Sequence, residues 1–366
     1  MSNLGIYCVS LFNKKNMKKF LLFVGVVFSI EITWAQIPAG YYDAAQGLTG
    51  DALRYKLHDI ISNGYVQGTY NQLWTSYQTT DKRSDGKVWD MYSDIPGGTP
   101  PYLYTFVTDQ CGTYSVEGDC YNREHTVPAS WFNDAYPMYS DLFQVVPTDG
   151  YVNNRRSNYP YGKVVNASWI SQNGSKLGTS AVSGYTGTVF EPIDSFKGDI
   201  ARIYFYMATR YKDEIPLWNS NTVFSGDNLS TWAKNMFIQW SNLDPVSAKE
   251  IERNNAVYAI QHNRNPYVDH PEWISGVWLN MNDEDLLEPE ISFVPNPASD
   301  YINIAVISQF PYKITLVDET GRKVKIIEKT TANTSIDIHD LESGIYFIMI
   351  EGKGFSSYKK MVKIDN

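Results

Sequence analysis

The chain has 366 residues, 43% of them hydrophobic and 19% charged, with 10 Trp, 27 Tyr, 16 Phe and a formal net charge of −9. That length accommodates one large domain and one small one, and the composition is that of a packed globular protein. The acidic balance, 18 Lys/Arg against 30 Asp/Glu between residues 36 and 290, excludes a protein that grips nucleic acid by bulk positive charge.

The N-terminus reads as an export signal. Met17-Lys18-Lys19 is a short positive region, residues 20–30 are apolar, and Thr33-Trp34-Ala35 ends in a small residue. The apolar run is too short to span a bilayer comfortably, so residues 1–35 are assigned to a signal peptide cleaved after Ala35. The residues before Met17 fit a mis-assigned start. Residues 51–62 carry Leu53, Leu57, Ile60 and Ile61 at helical spacing, with Thr49 as N-cap. Asp85-Gly86 predicts a hairpin turn before the segment 87–92.

Cys111 and Cys120 form an even pair across a short loop. In an exported chain they are expected to form a disulfide that staples the approach to residue 124. In a reducing compartment they would remain free thiols. Residues 196–211 predict a helix with Ile200, Ile203, Tyr204 and Met207 on one face and Arg202 and Arg210 pointing elsewhere. Further helices are expected over 232–240 and over 247–260, the second capped by Asp244. Residues 279–290 read as an acidic linker. Beyond it, alternation in 301–306, 313–317 and 344–350 predicts a small β-sandwich over 291–366.

The chemistry concentrates at Tyr121-Asn122-Arg123-Glu124-His125-Thr126-Val127-Pro128. A carboxylate beside an imidazole can hold a divalent metal and deprotonate a water in one place. Pro128 and the absence of a second His at helical spacing exclude a zinc-peptidase helix. Downstream, Asn153-Asn154-Arg155-Arg156-Ser157-Asn158 adds an amide oxygen for a metal and guanidinium groups for phosphate. Taken alone, each of these residues is also ordinary surface or turn chemistry, and the arginines could pair with Asp141 or Asp149.

These two segments resemble the endonuclease I family of secreted bacterial nucleases, which carry a ββα-metal (His-Me finger) site. The resemblance extends through residues 190–202, 244–258 and 263–273, and covers about residues 45–275. It implies an α+β catalytic domain over 36–278 that hydrolyses DNA, and also RNA as a second substrate, without sequence preference and leaving 5′-phosphates. It further implies His125 as general base and one divalent ion, Mg²⁺ first and Ca²⁺ or Mn²⁺ after it, held by Glu124 and Asn153. Arg156 is expected to stabilise the transition state, and Arg123, Arg155 and Asn158 to bind substrate. Glu191 and Arg202 serve either the site or the pairing of helices. The family usually carries Asp-Leu-His-His or Asp-Leu-His-Asn where this chain has Asp141-Leu142-Phe143-Gln144, and Trp-His where it has Trp240-Ser241. Those two missing imidazoles keep open a catalytically weakened homologue that binds nucleic acid at the cell surface.

The tail, through Pro295-Asn296-Pro297-Ala298, Gly321-Arg322-Lys323-Val324, Leu341-Glu342-Ser343-Gly344 and Lys359-Lys360-Met361-Val362-Lys363, resembles the C-terminal sorting domain of type IX secretion cargo. A carbohydrate-binding sandwich is its other reading. The sorting resemblance implies the type IX secretion machinery as partner and a secreted or cell-surface location reached through the periplasm. The mature chain is expected to be a monomer.

Overall fold

The computed structural model describes residues 37–279, 290–307, 312–329, 333–352 and 355–365. The signal read at 1–35, with Cys8, and all but the ends of the acidic linker lie outside the described residues. The elements divide into a mixed helical and β region and an all-β tail, the α+β class expected.

Helix α1 (Gly50–Ser62) buries Leu53, Leu57 and Ile61, and its N-cap Thr49 has the extended backbone of a cap without a side-chain bond. Helix α2 (Leu73–Thr80) follows. The turn at Asp85-Gly86 is present, with Gly86 at φ 82°. The segment after it is not a strand: only an isolated bridge joins Lys82 and Val88, and residues 88–94 run as a buried turn. The chain then enters an antiparallel hairpin, β1 (Tyr121–His125) against β2 (Val145–Asp149), with Tyr121 opposite Asp149 and His125 opposite Val145. Helix α3 (Gly150–Arg156) starts at the residue after β2. Strands β3 (Val164–Ile170), β4 (Lys176–Ser180) and β5 (Thr188–Glu191) form a second antiparallel sheet.

Helix α4 (Lys197–Arg210) is buried along its whole length. The expected division into an apolar face and an arginine face is therefore corrected: the helix is enclosed on all sides, as a helix apolar around most of its circumference must be. Most of its polar side chains find partners inside the fold, as burial favours; the Arg210 Nε is an exception. Arg202 donates Nε and Nη2 to Glu250 at 2.5 and 2.8 Å. Tyr206 donates its hydroxyl to Asp141 at 2.7 Å, and Thr209 shares a 2.6 Å bond with Tyr267. A short hairpin, β6 (Phe224–Ser225) and β7 (Asn228–Leu229), leads to helices α5 (Thr231–Leu243), α6 (Ala248–Gln261), α7 (Pro266–Asp269) and α8 (Glu272–Trp278).

The cap of α6 is Ser247, not Asp244. Ser247 and Glu250 exchange side-chain and backbone bonds in a capping box. Asp244 instead accepts the Gly198 N–H at 2.8 Å. This contact brings α4 against the α5–α6 junction so closely that a Cβ on Gly198 would lie 2.0 Å from the Asp244 carbonyl oxygen. Gly198→Ala is expected to cost about 1–3 kcal/mol through overpacking. Thermal unfolding of the full chain checks this; an unchanged midpoint would show that the junction yields.

The tail holds two sheets. One has the strand order β11 (Lys323–Lys329), β10 (Tyr312–Asp318), β13 (Gly344–Gly352), β14 (Phe355–Lys363). The other runs β12 (Asn333–Asp337), β9 (Tyr301–Ile307), β8 (Glu290–Val294). Ile302, Ile304, Ile314, Leu316, Ile348, Ile350 and Met361 make its own core, distinct from the core built over residues 42–278.

Candidate active site

Glu124 and His125 are consecutive strand residues, so their side chains leave β1 on opposite faces. Glu124 points inward and is 2% exposed. Its Oε1 accepts the Tyr92 hydroxyl at 2.8 Å and the Arg156 Nη1 at 2.9 Å, and the Tyr161 hydroxyl lies 3.4 Å from the same oxygen. Burial pushes its carboxyl above the ordinary value, opposed by the Arg156 charge and the two phenols.

His125 faces the other way, into an aromatic slot. Its ring stacks on Tyr139 at 4.9 Å and on Tyr70 at 5.6 Å. Nε2 lies 3.1 Å from the Tyr139 carbonyl oxygen. A carbonyl only accepts, so Nε2 carries the proton and Nδ1 keeps the lone pair. Burial pulls the imidazole down from 6.5 to about 4, so it is neutral at pH 7 and can take a proton.

Asn153 comes from α3. Its Nδ2 donates to the Arg123 carbonyl at 3.3 Å, which lays the amide beside β1 at the residue before Glu124. The N-terminus of α3 is fixed by Asp149, whose Oδ1 accepts the Val152 N–H at 2.7 Å. Its Oδ2 accepts the Tyr104 hydroxyl at 2.5 Å and the Gly118 N–H at 2.7 Å. Cys111 and Cys120 are joined as a disulfide, and the Cys120 carbonyl accepts the Gly150 N–H at 2.9 Å. Gly150 is required there, because a Cβ would meet the Tyr114 ring at 2.6 Å.

The arginines are arranged differently from expectation. Arg156, expected at the phosphate, is 1% exposed. Besides Glu124 it donates to the carbonyls of His125 at 2.8 Å and Thr126 at 2.6 Å, and its guanidinium lies 4.5 Å from the Tyr161 ring centre. Its charge offsets that of a buried carboxylate. Arg123 is clamped 3.6 Å over Tyr70 and 4.4 Å from Trp74, with Nη1 on the Tyr70 carbonyl. Arg155 and Asn158 are exposed, and Arg155 stacks over Tyr151 and Trp169. None of these arginines pairs with Asp141, which holds Tyr206 and Tyr211, or with Asp149. Glu191 binds Lys197 at 2.7 Å, so with Arg202–Glu250 the pairing role of these residues holds. Phe143 packs on Tyr206 at 4.7 Å, and the Ser241 hydroxyl returns to the Ile238 carbonyl of its own helix.

Sequence reasoning missed Tyr92, Tyr161, Asp90 and Tyr139. The first three lie far from residue 124 in the chain, and no local pattern marks them. Asp90 accepts the Tyr92 N–H at 2.7 Å and the Asp149 N–H at 2.9 Å. Burial, with Asp149 beside it, pushes the Asp90 carboxyl up to about 8.

Residues 49–272 match the family model described as Endonuclease I, and residues 292–364 match the secretion system C-terminal sorting domain. The chain is 32% identical over 247 residues to an extracellular ribonuclease of Bacillus amyloliquefaciens, covering 65% of this chain and 78% of the relative. It is 31% identical over 249 residues to an extracellular ribonuclease of Bacillus subtilis (strain 168), with the same shares. Endonuclease-1 of Buchnera aphidicola subsp. Baizongia pistaciae (strain Bp) is 32% identical over 129 residues, 35% of this chain and 46% of the relative. Hairpin, helix and tail together define a nuclease that is secreted or displayed at the cell surface through a type IX sorting domain. The chain belongs to the Endonuclease I family. Among the described residues, no helix is long and apolar enough to cross a membrane.

Proposed function

We propose that the protein hydrolyses phosphodiester bonds in DNA and RNA outside the cytoplasm, with Glu124 and Asn153 holding one divalent metal on one face of β1 and His125 acting as general base from the other face, the scissile phosphate lying across the end of the strand. The observation that carries this reading is the fixed tautomer of His125: Nε2–H is tied to the Tyr139 carbonyl, leaving Nδ1 to take a proton from water. The donors fit the metal. A carboxylate and an amide oxygen suit a hard cation such as Mg²⁺, with Ca²⁺ and Mn²⁺ as alternatives. Bound there, it would supply charge neutralisation at the scissile phosphate and at the leaving oxygen. His125 Nδ1 deprotonates the attacking water, and breaking the bond to the 3′-oxygen leaves a 5′-phosphate. The exposed Arg155 and Asn158 meet the polymer backbone, and a backbone-directed site reads no base sequence. The ribonuclease relatives support RNA as substrate, and Endonuclease-1 supports an endonucleolytic cut. Residues 1–35 direct export, and the mature enzyme is a monomer.

The test is cleavage of supercoiled plasmid and of a long RNA by the full chain, with Mg²⁺ and with EDTA. Cleavage in Mg²⁺ that stops in EDTA is expected. Cleavage undiminished by EDTA would remove the metal from the mechanism. Binding without cleavage in Mg²⁺, Ca²⁺ or Mn²⁺ would favour the weakened homologue that the replaced imidazoles at Phe143 and Ser241 suggest.

A further inference from the structure

We infer that Asp90 and Tyr92, two residues of one buried turn, are positioning residues that hold both arms of the metal site in register: the Glu124 carboxylate on β1 and the start of α3 that carries Asn153. This rests on the proposed metal role of Glu124 and Asn153.

The geometry has three parts. First, Tyr92 and Tyr161 share a 2.7 Å hydroxyl–hydroxyl bond, and Tyr92 donates to Glu124 Oε1 at 2.8 Å. A phenol has one proton, so the relay runs from Tyr161 to Tyr92 to Glu124, each bond polarising the next. With Arg156 on the same oxygen, Oε1 is spent on internal donors, which on the proposed metal role leaves Oε2 for the cation. Second, Asp90 divides the two oxygens of its carboxyl group between two backbone amides. Oδ1 takes the Tyr92 N–H at 2.7 Å and Oδ2 takes the Asp149 N–H at 2.9 Å. Asp149 is the residue whose side chain caps α3, so Asp90 ties the phenol that orients Glu124 to the end of the helix that presents Asn153. Third, the turn itself is anchored. The Trp89 N–H donates to the Asp81 carbonyl at 2.7 Å, and Asn173 Nδ2 donates to the Met91 carbonyl at 3.2 Å.

Groups that orient a metal ligand from behind commonly change metal affinity or activity about 10–100-fold when removed. Core residues that only pack change stability and leave metal affinity alone. That difference makes the assignment testable in the full chain. Tyr92→Phe removes one hydroxyl and keeps the ring. It is expected to weaken Mn²⁺ binding, measured by titration calorimetry without substrate, by about 10–100-fold. The Mg²⁺ concentration for half-maximal cleavage should rise in step, with KM for nucleic acid unchanged. Asp90→Asn, which replaces one of the two accepting oxygens with a donor, should shift Mn²⁺ binding in the same direction. Tyr267→Phe removes another buried hydroxyl, the partner of Thr209. It should lower the thermal midpoint and leave Mn²⁺ binding at the wild-type value.

Wild-type Mn²⁺ affinity in a folded Tyr92→Phe protein overturns the inference while the proposed function stands. A wild-type chain that binds no Mn²⁺ and cleaves in EDTA overturns both. If Tyr92→Phe does not fold, Asp90→Asn decides alone, and an unchanged affinity there overturns the inference equally.

Discussion

His125→Ala is expected to lower kcat about 10²–10⁴-fold, the range for removal of a positioned general base, with little change in KM for nucleic acid. Removing the ring empties its place between Tyr70 and Tyr139, so added imidazole should restore part of the activity. The pH profile carries a second signature. Burial holds the His125 pKa down from 6.5 to about 4, and a cation at Glu124 would hold it down further. The base form is therefore complete at pH 6, and the acid limb of kcat/KM should fall near pH 4 and not near 6.5. The sign for stability is the same. Between pH 6.5 and 4 the unfolded chain binds a proton at this residue that the folded chain refuses, so the contribution of neutral His125 is full above 6.5 and is lost as pH falls through 4. An acid limb centred near 6.5 in wild type would show that the imidazole is solvated, and that the stack on Tyr70 and Tyr139 opens in solution.

Arg156→Met should produce the largest loss of stability of any change near the site, about 3–5 kcal/mol, because it leaves a buried carboxylate without its counter-charge. The relevant contact is Arg156 Nη1 to Glu124 Oε1 at 2.9 Å, with both side chains nearly inaccessible. Arg156→Lys should rescue little. The guanidinium reaches Glu124, the His125 carbonyl and the Thr126 carbonyl together, and a single ammonium cannot reproduce that fork. The double variant Glu124→Gln with Arg156→Met should cost less than the sum of the single changes, since it removes both charges. Denaturant midpoints for the four proteins measure this directly. Additive losses would mean that Arg156 acts on the fold independently of Glu124.

The parts legible in the sequence were those encoded locally. The periodicity of residues 51–62 gave α1, and the alternation beyond residue 300 gave three of the tail's strands, β9, β10 and β13. The segments around Glu124-His125 and Asn153 gave the hairpin and its helix through family resemblance. What could not be read was the partner of each charge. Arg156 looks like a phosphate ligand in a motif, yet its acceptors sit on a strand about thirty residues earlier. Arg123 looks free until Tyr70 and Trp74 are folded over it. Helix α4 looked two-faced because Arg202 and Arg210 are usually surface residues. Its arginines are buried because Glu250, in a later helix, and the rings of Tyr65 and Tyr211 receive them. Asp244 lost the cap of α6 to Ser247 because Gly198 N–H claimed its carboxylate. In each case the deciding contact is long-range, and local propensity carries no information about it.

The interior of the large domain is furnished with phenols: Tyr77, Tyr92, Tyr161, Tyr206 and Tyr211 are fully enclosed. Burial raises each of them well above the ordinary value of 10. Their contribution to stability is therefore full below about pH 10 and disappears above it, where the unfolded chain ionises and the folded one cannot. In strong alkali the ultraviolet signal of these enclosed phenols should accordingly stay silent until the fold gives way, and then change abruptly as the interior floods. The chain thus carries its own optical gauge of whether its centre is dry.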